Sequence, residues 1–512
     1  MSTTPLEITI EAPCPPAPLS GWRRLLVDWL LVSGTTVLCQ VLGVIGSLAL
    51  RVCLSPAQMG VWQGLKLMLA NGNYANLGIS KGAAREYTIA LGRGTEAEAQ
   101  RGLNMALTVN TLSSGLFGLA LVGSGIGLAC YGGGAWGSAW AWGLIALGCM
   151  AVVQRYLTFQ ITLLRCKQDF VITSQLSVLE ALLTVSVATL GAWLWGLPGL
   201  YVGTLIVLVA SVLFVHVRGA IPLAWAWDFG EIRRLTAIGC PILLVGVVST
   251  LFRTLDRWMI LGYLPDREFQ LGCYSLALLV TGQLYGLGNI LSIVVAPRLG
   301  EHFGRDGDRR QAAALTARSS ELQAAVLALP AALAIVAVPP LLGTLLPDYR
   351  PGLAPMLWQI PGILALGLAL LPGQYLISVD RQKWSLAAIV LATGVSAGAC
   401  HVALVTGFGL IGVAAASSLS YVVYLLLAAA PVWWELNTGA RLRCLAMHGL
   451  ALGPALLAAL GLEALRPSDP GQWSIATAKV LAVLLAWGLS LAAGWQLGGW
   501  REAIQSPRHR PA

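Results

Sequence analysis

Charge is what this sequence has least of. Asp, Glu, Lys and Arg make up 11% of its 512 residues, against about 25% in soluble domains. No charged residue stands between Arg101 and Arg155, nor between Lys383 and Glu435. A water-soluble globular protein has no such stretches, and that class is excluded. Metal and disulfide spacing is missing too. The ten Cys and five His residues are scattered, with no C-x-x-C or H-x-x-x-H spacing, so neither a zinc site nor a disulfide framework is expected. No G-x-x-x-x-G-K-[ST] loop occurs, so the chain is not expected to be its own ATP-driven pump. The short alternating segments of a β-barrel are absent as well.

What is there is apolar length. Hydrophobic residues make up 57% of the chain. Each charge-free stretch is long enough for two spans of about 20 residues, separated by a glycine-rich turn (YGGGAWGS at 131–138, TGFGL at 406–410). The expected fold is an all-α polytopic membrane protein of about fourteen transmembrane helices. They fall near 26–50, 58–80, 103–130, 138–161, 172–195, 198–217, 236–263, 270–294, 321–347, 355–378, 384–404, 408–431, 444–465 and 474–498. The second is the least apolar, because it carries Lys66, Gln63, Asn71, Asn73 and Asn76.

Orientation follows from the basic residues, which concentrate in cytoplasmic loops. With the N-terminus inside, only Arg51, Arg267, Arg350 and Arg466 fall in outer loops, and most of the 32 Lys and Arg, Arg155 among them, fall in inner loops, span mouths or tails. Both termini are therefore expected in the cytoplasm. The net charge of +9 is a topology signal, and a nucleic-acid partner has no support. The Pro-rich first twenty residues read as a cytoplasmic tail.

A phrase recurs. Gln58-Met59-Gly60-Val61-Trp62 and Gln270-Leu271-Gly272-Cys273-Tyr274 share a pattern of Gln, apolar, Gly, small or apolar, aromatic, at an offset of 212 (270 − 58). At the same offset Gly34 meets Gly246, and Gly92-Arg93 meets Gly304-Arg305. The constant order points to a duplicated six-helix unit. Six is even, so both copies share an orientation, as in transporters with parallel repeats. The expected division is a tail at 1–24, lobes at 25–218 and 236–431, two appended helices at 442–498, and a tail at 499–512. The loops 81–102 and 295–320 are equivalent under the repeat, and amphipathic helices along the inner surface are expected in both.

The segment RVCLSPAQMGVWQGLKLMLANGNYANLGISKGAAREYTIALGRGT resembles the first two helices of polysaccharide flippases of the O-antigen and exopolysaccharide type. Their superfamily includes multidrug-and-toxin extrusion transporters and lipid II flippases. Met59 stands where that family usually has an aromatic, while Leu77-Gly78 and Arg85 fit. LDRWMILGYLPDREFQLGCYSLA, LLPDYRPGLAPM and GLIGVAAASSLSY are similar to later phrases of the family. The resemblance covers about residues 25–430. It implies movement of a polyprenyl-pyrophosphate-linked oligosaccharide across a bacterial inner membrane. Glycosyltransferases and a polysaccharide polymerase are the functional associates it implies, and membrane lipids the surroundings.

Charges at membrane depth are costly and mark function. Arg253 and Arg257 stand at i, i+4 on one face of the seventh span, with Asp256 beside them. Lys66 lies in the second span and Glu180 in the fifth. Two guanidinium groups on one face suit a pyrophosphate or an acidic sugar, since Arg offers paired donors to such anions. Arg253, Arg257 and Lys66 are the expected substrate contacts, with Asp256 as a structural partner of the cations. A carboxylate held out of water can exchange protons, which makes Glu180 the candidate for coupling. Lys479 and Asp28 read as topological or interfacial. Trp136, Trp140, Trp142, Trp193 and Trp195 read as an outer interfacial belt.

Two other functions compete. A small-molecule cation exporter would want a negative cavity, whereas the clearest deep charges here are mostly positive. A membrane glycosyltransferase or ligase would need catalytic groups on a substantial outer loop, and the outer loops are too short. Neither enzymatic activity nor a cofactor is expected.

Overall fold

A computed structural model of the protein describes residues 21–72, 74–93, 95–131, 135–467 and 471–496. The tail calls at 1–20 and 499–512 lie outside the described residues, as do the side chains of Asp28, Trp136, Arg298 and Arg305. Every described element is helical, as expected. Twelve helices among the described residues are long and apolar enough to cross a membrane. One of them, Phe170–Gly219, is 50 residues long and folds back at Gly196, where φ is +62°. A Cβ at Gly191 would lie 2.4 Å from the Gly199 carbonyl, so the two legs run against each other as the spans expected at 172–195 and 198–217. The other expected span outside the twelve is the second, near 58–80.

That second span is two helices, α2 (Pro56–Gly72) and α3 (Ile79–Arg93), following α1 (Gly21–Cys53). Between them Leu77 (φ +50°) and Gly78 (φ +86°) take left-handed backbone, which an α-helix cannot continue through. Side chains replace the lost helical bonds. Asn76 donates to Ser80 and Asn110 at 2.7 Å and accepts from the Gly78 amide at 3.2 Å. Arg155 donates to the Gly72 carbonyl at 2.7 Å, meeting the exposed C-terminal end of α2 with positive charge. Arg155 was counted among inner loops and span mouths. It lies instead within α5 (Ala135–Cys166), buried against this break.

Expectation and structure part at the inner loops. α3 is amphipathic, with Ile79, Ala83, Tyr87 and Ala90 on its apolar stripe. Ile79, Ala83 and Tyr87 of that stripe pack against protein, with Leu103 and Phe159 in one core cluster. In the second half α9 (Arg267–Asp306) runs unbroken for 40 residues, and α10 (Arg309–Val336) follows. No separate surface helix occurs there among the described residues. The repeat explains the relation. Adding 212 to 56 and 93 gives 268 and 305, so α2 and α3 together match α9, and only the first copy is broken.

The recurring phrase sits where the copies meet. A Cβ on Gly60 would lie 1.7 Å from the Glu268 carbonyl, and one on Gly272 would lie 1.7 Å from that of Pro56. Since 56 + 212 is 268, these are the same contact made twice, across a pseudo-twofold axis. Only glycine admits backbones this close. We keep the inner and outer labels of the charge pattern, which place this crossing at the outer end.

A second lobe crossing lies at the inner end, between α3 and α8 (Phe229–Tyr263). Cβ atoms at Gly82 and Gly239 would lie 2.1 Å from the Leu235 carbonyl and 2.0 Å from that of Gly78. Arg234 adds an ion pair across the crossing to Glu86 at 3.3 Å. The lobes thus touch at both ends.

The linker between the lobes is extended and strapped onto the first lobe. Gln100, Asn104 and Thr108 of α4 (Glu96–Tyr131) bond Pro222 O, Ala224 N and Ala226 N at 2.6, 3.0 and 3.1 Å. Four helical residues rise about 6 Å, and two extended residues about 6.6 Å. The two repeats therefore stay in register. Gln160 completes the strap, accepting from Ile221 N and donating to Ile221 O at 3.1 and 3.0 Å. Of the appended helices α16 (Thr438–Leu465) and α17 (Trp473–Gln496), the first packs through Ala451, Ala455 and Ala459 onto α10. Lys479, which read as topological, is buried and pairs with Glu463 at 2.7 Å, tying this hairpin together.

Candidate functional site

The site is built from α8 on one lobe and α1, α2 and α6 (Phe170–Leu183) on the other. On α8, Arg253 is exposed and its guanidinium stands 5.6 Å from the Tyr285 ring. Its Nε donates to the Ser249 carbonyl at 3.3 Å, and it forms no ion pair among the described residues. Arg257 follows one turn later and is half-buried.

Asp256 turns away from this pair. It is 3% exposed and accepts from Tyr274 OH at 2.7 Å and Gln359 Nε2 at 3.5 Å. Arg257 Nε lies at 3.9 Å, the outer limit of an ion pair. The carboxylate is held mainly by neutral donors of the second lobe, and offsets only the edge of one guanidinium.

Lys66 faces a cavity of about 480 Å³ inside the first lobe, bounded by α1, α2 and α6. Its ammonium stands 5.9 Å from the Trp62 ring and has no ion-pair partner among the described residues. Arg51 and Arg257 are its charged neighbours. Glu180 lines the same cavity. Lys66 and Glu180 thus share one space without forming an ion pair. One turn after Glu180 the helix widens into a π-turn, Thr184–Ala188, whose first residues Thr184 and Val185 also line the cavity. Such turns disturb the regular placing of side chains and recur at functional sites.

Arg51 is the site cation that sequence reasoning missed, having placed it in an outer loop. α1 continues to Cys53, and Arg51 is 3% exposed. It donates to Ser47 O at 2.8 Å, to the Ser47 hydroxyl, and across the lobes to Ser275 O and Oγ at 2.7 and 3.1 Å. The Ser47/Arg51 spacing of i, i+4 was a visible signal that the helix continued. Trp140, expected in the belt, instead donates from Nε1 to Glu268 at 3.0 Å across the outer crossing. Trp142, Trp193 and Trp195 are exposed, as a belt requires.

Residues 140–347 match the model of a family described as polysaccharide biosynthesis protein. No curated protein matches the sequence. Among solved structures, the lipid II flippase MurJ in an inward closed conformation superimposes with a TM-score of 0.69 at 13% identity, covering 91% of this chain and 99% of that one. An inward-facing multidrug resistance MATE transporter gives 0.55 at 15% identity, covering 82% and 95%. A MOP-superfamily transporter from Pyrococcus furiosus, described as having a binding pocket of reversed polarity, gives 0.56 at 13% identity, covering 84% and 99%. The chain is a multi-pass membrane protein with the fold that these flippases and transporters share.

Proposed function

We propose that this protein is a flippase. It carries a polyprenyl-pyrophosphate-linked oligosaccharide from the inner to the outer leaflet of a bacterial cytoplasmic membrane, with both termini inside. The observation that carries the reading is that Lys66 of the first lobe has Arg257 of the second as a charged neighbour, with Arg253 one turn from Arg257, and that Lys66 and Arg253 lack any ion-pair partner among the described residues. Unpaired cations at membrane depth are costly to keep, and a diphosphate with its bidentate oxygens repays them. Arg51 reinforces the field from the lobe junction. The family match to polysaccharide biosynthesis proteins supports a glycan cargo, and two lobes touching at both ends support alternating access.

The apolar carrier chain remains in the bilayer while the charged head crosses between the lobes. Glu180 is the group that would couple the cycle to an ion, and Asp256 stays structural. Glycosyltransferases supplying the cargo and a polymerase consuming it are the associates of such a protein. A cation exporter on the same fold is disfavoured by the positive site.

The test is an Arg253→Ala/Arg257→Ala double variant. It should insert normally and yet accumulate lipid-linked glycan on the inner leaflet, with export at least about tenfold slower, the loss expected for one charge-assisted contact. Wild-type export by this variant sinks the anion site. In the same assay a Glu180→Gln variant that keeps a wild-type response to the proton gradient removes Glu180 as the coupling group.

A further inference from the structure

The cavity beside Lys66 has a chemistry of its own. Its α6 wall, continued into the π-turn, carries Ser177, Glu180 and Thr184, and its α2 wall carries Gln63 and Lys66. A hydroxyl has one proton to give and two lone pairs. Ser177 spends its proton on the Thr173 carbonyl at 2.9 Å, and Thr184 spends its own on the Glu180 carbonyl at 2.6 Å. Only lone pairs of these hydroxyls are left for the cavity. An ionised Glu180 carboxylate is acceptor-only as well. The α6 wall is therefore a surface that accepts hydrogen bonds, and it suits a ligand rich in donors.

Polyols and ammonium-type cations both donate in that way. Lys66 stands in the same cavity with Arg51 and Arg257 as charged neighbours, and that field repels a cation. A neutral polyol joined to an anion meets both demands, with its hydroxyls against α6 and its charge toward Lys66 and its neighbour Arg257. The volume, about 480 Å³, lies within the range of small-ligand sites, roughly 300–1,000 Å³, which is room for a sugar unit but not for a long glycan.

We infer that this cavity is the subsite for the sugar unit directly attached to the diphosphate, with Glu180, Ser177 and Thr184 accepting from its hydroxyls. This rests on the flippase reading above and adds to it a place and a recognition chemistry for the first sugar. Selection then acts on the reducing-end unit, while sugars further out are left unread by this wall.

The experiment uses the full chain in lipid nanodiscs and two probes, geranyl diphosphate and its glucosylated form, geranyl-diphospho-glucose. Wild-type protein should bind the glucosylated probe at least about tenfold more tightly, as a charge-assisted hydrogen bond and its neighbours would give. Glu180→Gln, and separately Ser177→Ala/Thr184→Val, should lose most of that gain while holding geranyl diphosphate as wild type does, which also shows that they are folded. Equal binding of both probes by wild type overturns the subsite and leaves the diphosphate site standing. An undiminished sugar gain in both variants overturns it as well, and leaves Glu180 at most a coupling role. If wild type binds neither probe, the diphosphate reading itself falls and takes the subsite with it.

Discussion

Asp256 and Arg257 are adjacent in sequence but serve different regions. The arginine borders the space between the lobes, and the carboxylate is committed to Tyr274 and Gln359 inside the second lobe. Removing the carboxylate would leave the buried Tyr274 phenol without an acceptor, at about 1–3 kcal/mol, while the Gln359 amide keeps its bond to Tyr274 OH at 2.9 Å. Asp256→Ala should therefore lower the unfolding stability of the detergent-purified protein by about 1–3 kcal/mol. Asp256→Asn, which retains an acceptor for Tyr274 OH, should lose clearly less. If thermal unfolding shows equal losses for both, the carboxylate is doing something other than accepting these bonds. Lys66, Arg253, Arg257 and Glu180 were legible as site candidates because charge at membrane depth is conspicuous in a sequence. The facing of Asp256 was not, since it depends on Tyr274 and Gln359 arriving from other helices. Arg51 was hidden by a boundary, because a basic residue near a span end reads as loop.

Helices and their turns were legible wherever hydropathy alone decides them. The fold-back at 196 follows from Gly196 and Pro198 lying in one apolar run. The break between α2 and α3 was not legible, because the turn is held by Asn76, Asn110 and Arg155, partners on other elements that no local pattern announces. The strap was equally silent, being neither helix nor apolar span. It depends on side chains of α4 and α5 whose spacing happens to match an extended chain. Gln160 is its most enclosed clasp, 0% exposed and bonding both the N–H and the carbonyl of Ile221. Gln160→Leu fills similar volume and leaves both backbone groups unpaired, at about 1–3 kcal/mol each. We expect a loss of at least about 2 kcal/mol in unfolding stability, together with faster tryptic cleavage at Arg218 and Arg233, which flank the strap. Unchanged cleavage and stability would mean that the strap needs no clasp.

At the scale of the molecule, the duplication was readable from one five-residue phrase, and its meaning was not. The structure shows that the two glycines of that phrase form the outer crossing, while the inner crossing is made by Gly78, Gly82 and Gly239, which the repeat does not pair. Each crossing works because no Cβ intervenes, so adding one is a direct way to hold an end apart. The ion pair between Glu86 and Arg234 is largely exposed and contributes at most about 1 kcal/mol, which leaves the backbone contact as the main closure at the inner end. A valine at position 82 would push its side chain into the Leu235 carbonyl, 2.1 Å from the first added carbon. Gly82→Val should therefore prevent the inner ends from meeting. Cys240, next to Gly239 at this crossing, is the reporter. In a background where the other cysteines are replaced, a membrane-impermeant maleimide applied to inside-out vesicles should label it several-fold faster in Gly82→Val than without that change. Glycan export should fall with it, since a lobe pair that cannot close inside cannot open outside. Glu86→Ala should alter labelling far less, because it removes the exposed ion pair and leaves the glycines in contact. Equal labelling with and without Gly82→Val would show that this crossing does not gate the inner face, and the closure would have to be sought elsewhere between α3 and α8.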